Sequence, residues 1–248
     1  MRLGLLALGL VAAAPMAATA APRSTVETAR LVLPTERYDH AVLGDGIEWG
    51  GLALTVGCVA DCPAGRPVRT KLTVVLPQSR VFEDVTARVA DLDGDGVAEV
   101  LVVETDLAKG ASLAVYDATG QRRAATAFIG QRYRWLAPAG IADFDGDGRP
   151  EIAYVDRPHL ARELVFVRLQ GSRLVELARI KGLSNHRIGD RAISGGVRDC
   201  GHGPEAVLAN ADWTRIMAVR FTSLRPQARD IGPLRGSHPF EKALACSL

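Results

Sequence analysis

The 248-residue sequence has little net charge and no block of one sign. Its formal charge is +2 at pH 7, and its arginines are scattered along the chain. A protein that binds the phosphate backbone of nucleic acid carries a basic patch or stripe. The composition therefore argues against a nucleic-acid partner.

Long hydrophobic runs are missing after residue 20. Residues 1–20 contain Arg2, a short apolar run at residues 3–14 and the A-T-A pattern of a signal-peptidase site at residues 18–20. The apolar run is shorter than the roughly 20 residues that span a bilayer. We therefore expect a cleaved bacterial signal peptide, no membrane span, and a periplasmic or secreted domain made of residues 21–248.

Common catalytic signatures are absent as well. The sequence contains no H-E-x-x-H zinc motif, no P-loop and no G-x-G-x-x-G after a strand. Acidic residues outside the repeats described below lack a recognisable spacing for a glycosidase pair. These absences favour a binding or interaction module over an enzyme, and a hydrolase or lyase acting on glycans is the alternative.

Cysteine is scarce, with four residues in the whole chain. An even number in an exported chain predicts two disulfides. Cys58 and Cys62 are close enough in sequence to close a small loop, which leaves Cys200 to pair with Cys246. A zinc site is disfavoured because no C-x-x-C and no suitably spaced histidine accompanies them.

Sustained helical spacing of apolar residues is also missing beyond residue 20, and an internal repeat takes its place. "ADLDGDGVAEV" at residues 90–100 recurs as "ADFDGDGRPEI" at residues 142–152, and an apolar strand-like run follows each copy. Weaker versions of the pattern occur on both sides. We divide the chain into four units of about 50 residues, a period typical of propellers, solenoids or arrays: 38–85, 86–137, 138–190 and 191–248.

Each unit contains four short strand-like runs, as at residues 86–90, 100–105, 112–116 and 122–129. Four strands per radial unit indicate a β-propeller blade. The predicted fold is therefore an all-β propeller with four blades, or with five as the alternative. We expect the run at residues 28–34 to pair with the last blade and close the ring, which would remove exposed edges.

The repeated loops form ladders of oxygen ligands. Ca²⁺ takes six to eight oxygens from carboxylates, carbonyls and water, and glycines let the backbone turn tightly around the ion. An acidic turn that binds nothing stays the alternative, although three carboxylates this close repel one another without a cation. An EF-hand is excluded because its twelfth position is Val102 or Tyr154 in a strand. The predicted ligands of the two calcium ions are Asp91, Asp93, Asp95, Glu99 and the Val97 carbonyl in the first loop, and Asp143, Asp145, Asp147, Glu151 and the Arg149 carbonyl in the second.

These D-x-D-G-D-G-x-x-E loops before strands resemble the FG-GAP/VCBS repeats of integrin-like β-propellers. The resemblance implies a bound calcium in each intact loop. No Gly-Ala-Pro follows the strand and Glu replaces the usual final Asp, so the chain looks like the bacterial variety and integrin-style adhesion is not implied. The degenerate loops near Asp45 and Asp199 are expected to bind metal poorly, and the pairing of Cys200 with Cys246 is expected to fasten the loop at Asp199 instead.

The loop "SNHRIGDR" at residues 184–191 is the most polar of the connections outside the ladders. His186 and Arg187, together with Trp135 in another connection, are the candidate ligand-binding residues; ordinary surface polarity and packing are the alternative. Taken together, the sequence predicts an exported, monomeric, calcium-binding propeller that binds a protein or glycan partner.

Calcium removal should destabilise the protein, because a ligand that binds only the folded state stabilises it by mass action. We expect EDTA to lower the melting temperature, and Asp93→Ala or Asp145→Ala to reproduce the effect in the presence of calcium. Thermal unfolding monitored by circular dichroism measures both. A melting curve that EDTA leaves unchanged would contradict calcium binding.

Overall fold

The structure is a computed structural model that describes residues 22–62, 69–222 and 225–248. The predicted signal peptide lies outside these residues. Within them the chain forms seventeen strands and one short helix, which confirms the all-β prediction. The elements are β1 (Arg23–Thr35), β2 (Glu48–Ala60), β3 (Arg69–Val75), β4 (Arg80–Phe82), β5 (Arg88–Ala90), β6 (Glu99–Asp106), β7 (Gly110–Tyr116), β8 (Arg122–Ala125), β9 (Leu136–Ala142), β10 (Glu151–Asp156), β11 (Glu163–Gln170), β12 (Arg173–Lys181), β13 (Leu183–Ser184), β14 (Gly196–Asp199), β15 (Pro204–Asn210), β16 (Arg215–Thr222), β17 (Arg225–Pro233) and α1 (Pro239–Leu244).

The strands pair in three antiparallel sheets that follow the repeat. The third unit is a sheet in the order β12-β11-β10-β9, and the fourth has the order β13-β15-β16-β17 with β14 also on β15. In the second unit, β4 and β5 both pair with β6, which continues to β7 and β8. We call the strand that precedes the acidic turn in each of these units its inner strand. In the third unit this strand is β9, and it is continuous. The inner strand is interrupted by residues 83–87 in the second unit and by residues 185–195 in the fourth.

The first unit differs from the prediction. Its strands β1, β2 and β3 do not form a separate four-stranded sheet among the described residues, because β4 pairs with both β2 and β6 and joins two units into one eight-stranded sheet. The division of the chain into four units, with a boundary at residue 85, stays a prediction. Strand β4, which begins at Arg80, already serves the second unit as its inner strand.

Strand β1 also differs from the prediction. It pairs along its length with β2, from Arg23 opposite Ala60 to Thr35 opposite Glu48, rather than with the last unit. A hairpin with the next strand in sequence closes a shorter loop and so costs less chain entropy. The first and fourth units meet through loops instead: the Gly189 N–H donates to the Val42 carbonyl at 3.1 Å. The four-bladed closed ring stays a prediction.

Alternate residues of the central strands pack in opposite directions, as the pleat requires. Along β10, Ile152 faces the core shared with the second unit, and Val155 faces the core shared with the fourth. Along β6, Leu101 faces the third unit, and Val102 packs against the β2 side chains of the first. Both faces of each central strand are therefore buried, which explains its continuous run of aliphatic residues.

Both predicted disulfides are present. Cys58 pairs with Cys62 and Cys200 with Cys246, each with a Cα–Cα distance of 5.8 Å. The second closes a span of 46 residues, so a chain-entropy model assigns it about 4 kcal/mol against about 2 kcal/mol for the first. It fastens the end of β14 to the segment after α1. None of the helices in the described part of the chain is long and apolar enough to cross a membrane.

Candidate metal loops and binding cavity

Each acidic ladder connects the inner strand of its unit to the next strand and curls around its first aspartate. The Asp91 carboxylate accepts hydrogen bonds from the N–H groups of Gly94, Asp95 and Gly96 at 2.8, 3.1 and 2.8 Å. Asp143 accepts the equivalent three bonds in the second loop, at 2.7, 3.1 and 2.9 Å. The loop glycines have φ near +80°, where a Cβ is disfavoured. The two copies therefore share one conformation.

Three of the five predicted ligands come together in each loop. Carboxylate oxygens of the first, third and ninth positions lie within 4.8 Å of one another. Such a set of hard oxygen donors fits Ca²⁺ chemically. The fifth position lies outside this set: Asp95 Oδ1 accepts from the Val97 N–H at 2.8 Å, and Asp147 Oδ1 accepts from the Arg149 N–H at 2.9 Å. The converging residues are Asp91, Asp93 and Glu99 in one loop and Asp143, Asp145 and Glu151 in the other.

An arginine that the repeated motif does not indicate contacts each ladder. Arg123 of β8 forms ion pairs with Asp93 and Glu99. Arg168 of β11 forms ion pairs with the second loop, and only 8% of its surface is exposed. A single charged residue inside the otherwise apolar run of β11 was the available signal, because a buried charge requires a partner.

A buried glutamate at the start of the second strand is common to all four units: Glu48, Glu99, Glu151 and Glu205. Burial raises the pKa of Glu99 and Glu151. In each case a backbone N–H hydrogen bond and a nearby arginine act in the opposite direction but do not outweigh burial. Burial also opposes ionisation of Glu205, but hydrogen bonds from Arg229 and Arg198 outweigh it and lower its pKa.

Glu48 is the exception among these four. Its side chain is buried, and its Oε2 atom has no hydrogen-bond partner among the described residues. Burial, together with the nearby carboxylates of Glu83, Asp45 and Asp84, raises its pKa to about 9. Since no arginine neutralises it, we infer that Glu48 carries a proton at neutral pH.

The candidate ligand residues from the sequence do not converge on one cavity. His186 is buried with its ring 4.9 Å from that of Trp135, and its Nδ1 atom lies 3.0 Å from Nε2 of His159. Burial lowers the pKa of His186 and lowers that of His159 to about 4, so both rings are neutral at pH 7. Arg187 is exposed and lies over the ring of Trp213 instead. Their role in ligand binding stays a prediction.

A cavity of about 350 Å³ opens where the first unit meets the two loops that interrupt the inner strands. We call it the interunit cavity. Asp84 in its wall is neutralised by Arg88, whereas Arg191 is exposed and has no ion pair within the described chain. The wall includes Asp45, Ile47, Trp49, Asp84, Val85 and Arg191.

A second cavity of about 430 Å³ lies beside β8, β10 and β12. Its charged groups are already paired with one another: Arg157 bonds Asp156 at 2.8 Å, and Arg179 bonds Glu176 at 2.6 Å. A ligand there would have to replace these contacts. The interunit cavity, with its uncommitted arginine, is therefore the stronger candidate for ligand binding.

Comparison with known proteins supports the repeat. Residues 91–154, which include both acidic loops, match the FG-GAP-like repeat, and this confirms the resemblance over those residues. No curated protein is similar enough in sequence to this chain to count as a match.

Two solved structures are similar in fold. Rhamnogalacturonan lyase YesW has 17% identity and a TM-score of 0.40, with 86% of this chain and 50% of that chain covered. Exotype rhamnogalacturonan lyase YesX has 17% identity and a TM-score of 0.42, with 87% and 49% covered. This chain spans about half the length of those lyase chains. At this level of similarity, neither match bears on its activity.

The protonated state of Glu48 predicts a pH-dependent stability. Its folded pKa of about 9 lies above the ordinary value of 4.5, so its contribution is complete below about pH 4.5 and is lost as the pH rises through 9. The associated slope is at most about 1.4 kcal/mol per pH unit. We expect Glu48→Gln to flatten the fall in stability between about pH 5 and 9, measured by urea unfolding.

The exposed Glu36→Gln serves as the control for this experiment, because it removes a carboxyl without removing a buried one. Asp45, Glu83 and Asp84 remain in both variants, so the difference measures Glu48 together with its charge interaction with the buried Glu83. A Glu48→Gln profile that keeps the wild-type slope would show that Glu48 is ionised in the folded protein.

Proposed function

We propose that this chain, which contains an FG-GAP-like repeat at residues 91–154, is an exported calcium-binding β-propeller that binds a carbohydrate. The observation that carries the binding function is the interunit cavity, with its exposed arginine and its tryptophan. Calcium in the two ladder loops has a structural role in this proposal. The chain's own carboxylates hold the ion and fix the turn that begins each buried strand.

Two features support an exported, calcium-binding protein. Disulfides persist in oxidising compartments such as the periplasm and the cell exterior, and both cysteine pairs are bridged. Calcium supplies positive charge to a turn that contains four carboxylates, and in each loop three of them converge. The metal would be held by Asp91, Asp93 and Glu99 in the first loop and by Asp143, Asp145 and Glu151 in the second.

The composition of the interunit cavity favours a saccharide. Ligand sites combine aromatic and apolar walls with a few well-placed polar groups. Here Trp49, Ile47 and Val85 offer an apolar surface to the C–H faces of a sugar ring. The Arg191 guanidinium offers a fork of donors, and the Asp45 carboxylate offers acceptors for hydroxyl groups. The two charges are opposite in sign, which matches a polar ligand with donors and acceptors together.

Two arginines of the same loop provide a matched test. Arg191 lines the interunit cavity, whereas Arg187 lies over Trp213 at 4.3 Å, and both are exposed. We expect a glycan-binding screen with calcium to identify a ligand. Arg191→Ala should weaken its binding by about tenfold or more, as for the loss of a hydrogen bond to a charged group.

Arg187→Ala should leave that affinity unchanged, as measured by calorimetry. If only Arg187→Ala loses binding, the ligand site lies near His186 and Arg187 and not in the interunit cavity. If both variants bind the ligand with the wild-type affinity, this loop is not part of the ligand site.

The raised pKa of Glu48 favours a second candidate, an enzyme that acts on glycans. The buried Glu48 carboxyl does not line the interunit cavity, but it is close enough to two wall residues, Asp45 and Asp84, for their charges to raise its pKa. A carboxylic acid that stays protonated at neutral pH can serve as a general acid. If so, the wild type and Glu36→Gln should release products from a polysaccharide panel, and Glu48→Gln should not. Chromatography of the digests is the measurement, and a wild type that releases no product would leave only the binding function.

A further inference from the structure

We propose that Arg168 and Arg123 are tethered competitors for calcium in the two ladder loops. Each guanidinium takes carboxylate oxygens that a metal ion would need, so the arginine must leave before the loop can bind calcium. The inference rests on the calcium binding proposed above. It adds that the chain carries its own replacement cation, and that this cation sets the calcium affinity.

Arg168 holds two of the three converging carboxylates of the second loop, Asp145 and Glu151, and also holds Asp147. Its Nη1 atom lies 2.7 Å from Asp147 Oδ2, its Nη2 atom 3.0 Å from Asp145 Oδ2, and its Nε atom 2.8 Å from Glu151 Oε1. Three carboxylates thus share one guanidinium. Its planar fork matches them because it presents several donors in fixed directions.

The remaining oxygens of the second ladder already accept backbone N–H groups. Asp143 accepts three through its two oxygens. Three further oxygens each accept a backbone N–H group: Asp145 Oδ1 at 3.2 Å, Asp147 Oδ1 at 2.9 Å and Glu151 Oε2 at 2.8 Å. Every carboxylate oxygen of the ladder therefore has a donor from the chain itself. Calcium would compete for the oxygens that Arg168 holds, because the backbone donors are fixed by the turn.

Arg123 competes less strongly in the first loop. It contacts two carboxylates, Asp93 and Glu99, and its side chain is 26% exposed against 10% for Arg168. The third ladder carboxylate, Asp95, pairs at 3.3 Å with Arg23, whose side chain is about half exposed. Exposed ion pairs contribute little. The first loop should therefore bind calcium more tightly than the second.

This arrangement has a consequence for folding without metal. A guanidinium keeps its charge at any relevant pH, and its attachment to the same chain gives it a high effective concentration. Each ladder thus retains a cation when calcium is absent. We expect the chain to fold in EDTA and to bind calcium weakly, in the range of roughly 10⁻⁴–10⁻³ M that is usual for extracellular calcium modules.

Substitution of each arginine tests its two effects separately: the stability it gives the metal-free loop, and its competition with calcium for the carboxylates. Arg168→Gln should lower the melting temperature in EDTA, because the ladder loses its only strong cation. The same variant should bind calcium at least tenfold more tightly at one site, and calcium should raise its melting temperature more than that of the wild type. Arg123→Gln should shift the other site by a smaller factor. Arg173→Gln, an exposed arginine on β12, is the control and should behave like the wild type.

Calcium titration by calorimetry and melting curves with and without EDTA give both readouts. Arg168→Lys keeps the charge without the fork, so it should give an intermediate affinity and also covers the case in which Arg168→Gln fails to fold. Unchanged calcium affinity in the glutamine and lysine variants would overturn the competition while calcium binding stands. No calcium binding in the wild type or in any variant would overturn the calcium-binding function itself.

Discussion

Charge compensation in a tight acidic turn is the constraint on which the structure depends. Each unit begins its second strand with a glutamate that the packing of the sheets buries, and two units add three aspartates to the same turn. An uncompensated buried carboxylate is strongly unfavourable. The charge must therefore be neutralised before the turn can form. The strand that follows the turn, and its packing against both neighbouring sheets, depend on this neutralisation.

The four units meet the constraint in three ways. The second and third place Arg123 and Arg168 on neighbouring strands. The fourth replaces the ladder with two arginines on Glu205 and a disulfide at the end of β14. In the first, no arginine of the described residues pairs with Glu48, whose pKa is raised to about 9. That exception lies beside the interunit cavity, which places the least compensated acid of the repeat next to the best candidate for a ligand site.

Sequence spacing was enough to find much of this. The two D-x-D-G-D-G-x-x-E copies reveal the length of the repeat. The apolar runs within each repeat then predict the strands and the all-β fold. The short Cys58–Cys62 separation gives the disulfide pairing. What the sequence could not give are contacts between distant positions. Strand β4 pairs with β6 through all three of its residues and with β2 through Phe82. Arg168 contacts an acidic loop some 20 residues earlier in the chain. The convergence of Asp45 and Arg191 on one cavity likewise depends on how the first and last units meet.

The interrupted inner strands have a consequence for how the protein varies. In the second unit, residues 83–87 leave the sheet and the chain returns to pair again with β6, with only two β6 positions in between that pair with neither β4 nor β5. In the fourth unit, the eleven residues 185–195 do the same opposite the single residue Leu208 of β15. The first residues of both loops are buried, at Glu83, Asp84, Asn185 and His186. The Asp84 carboxylate also accepts from the Val103 N–H at 2.9 Å, so this part of the loop holds β6 in place. The exposed parts of the loops are residues 85–86 and 187–192, and both loops reach the interunit cavity. Changes confined to these exposed positions would reshape the wall of the interunit cavity while the sheets and the acidic loops stay as they are.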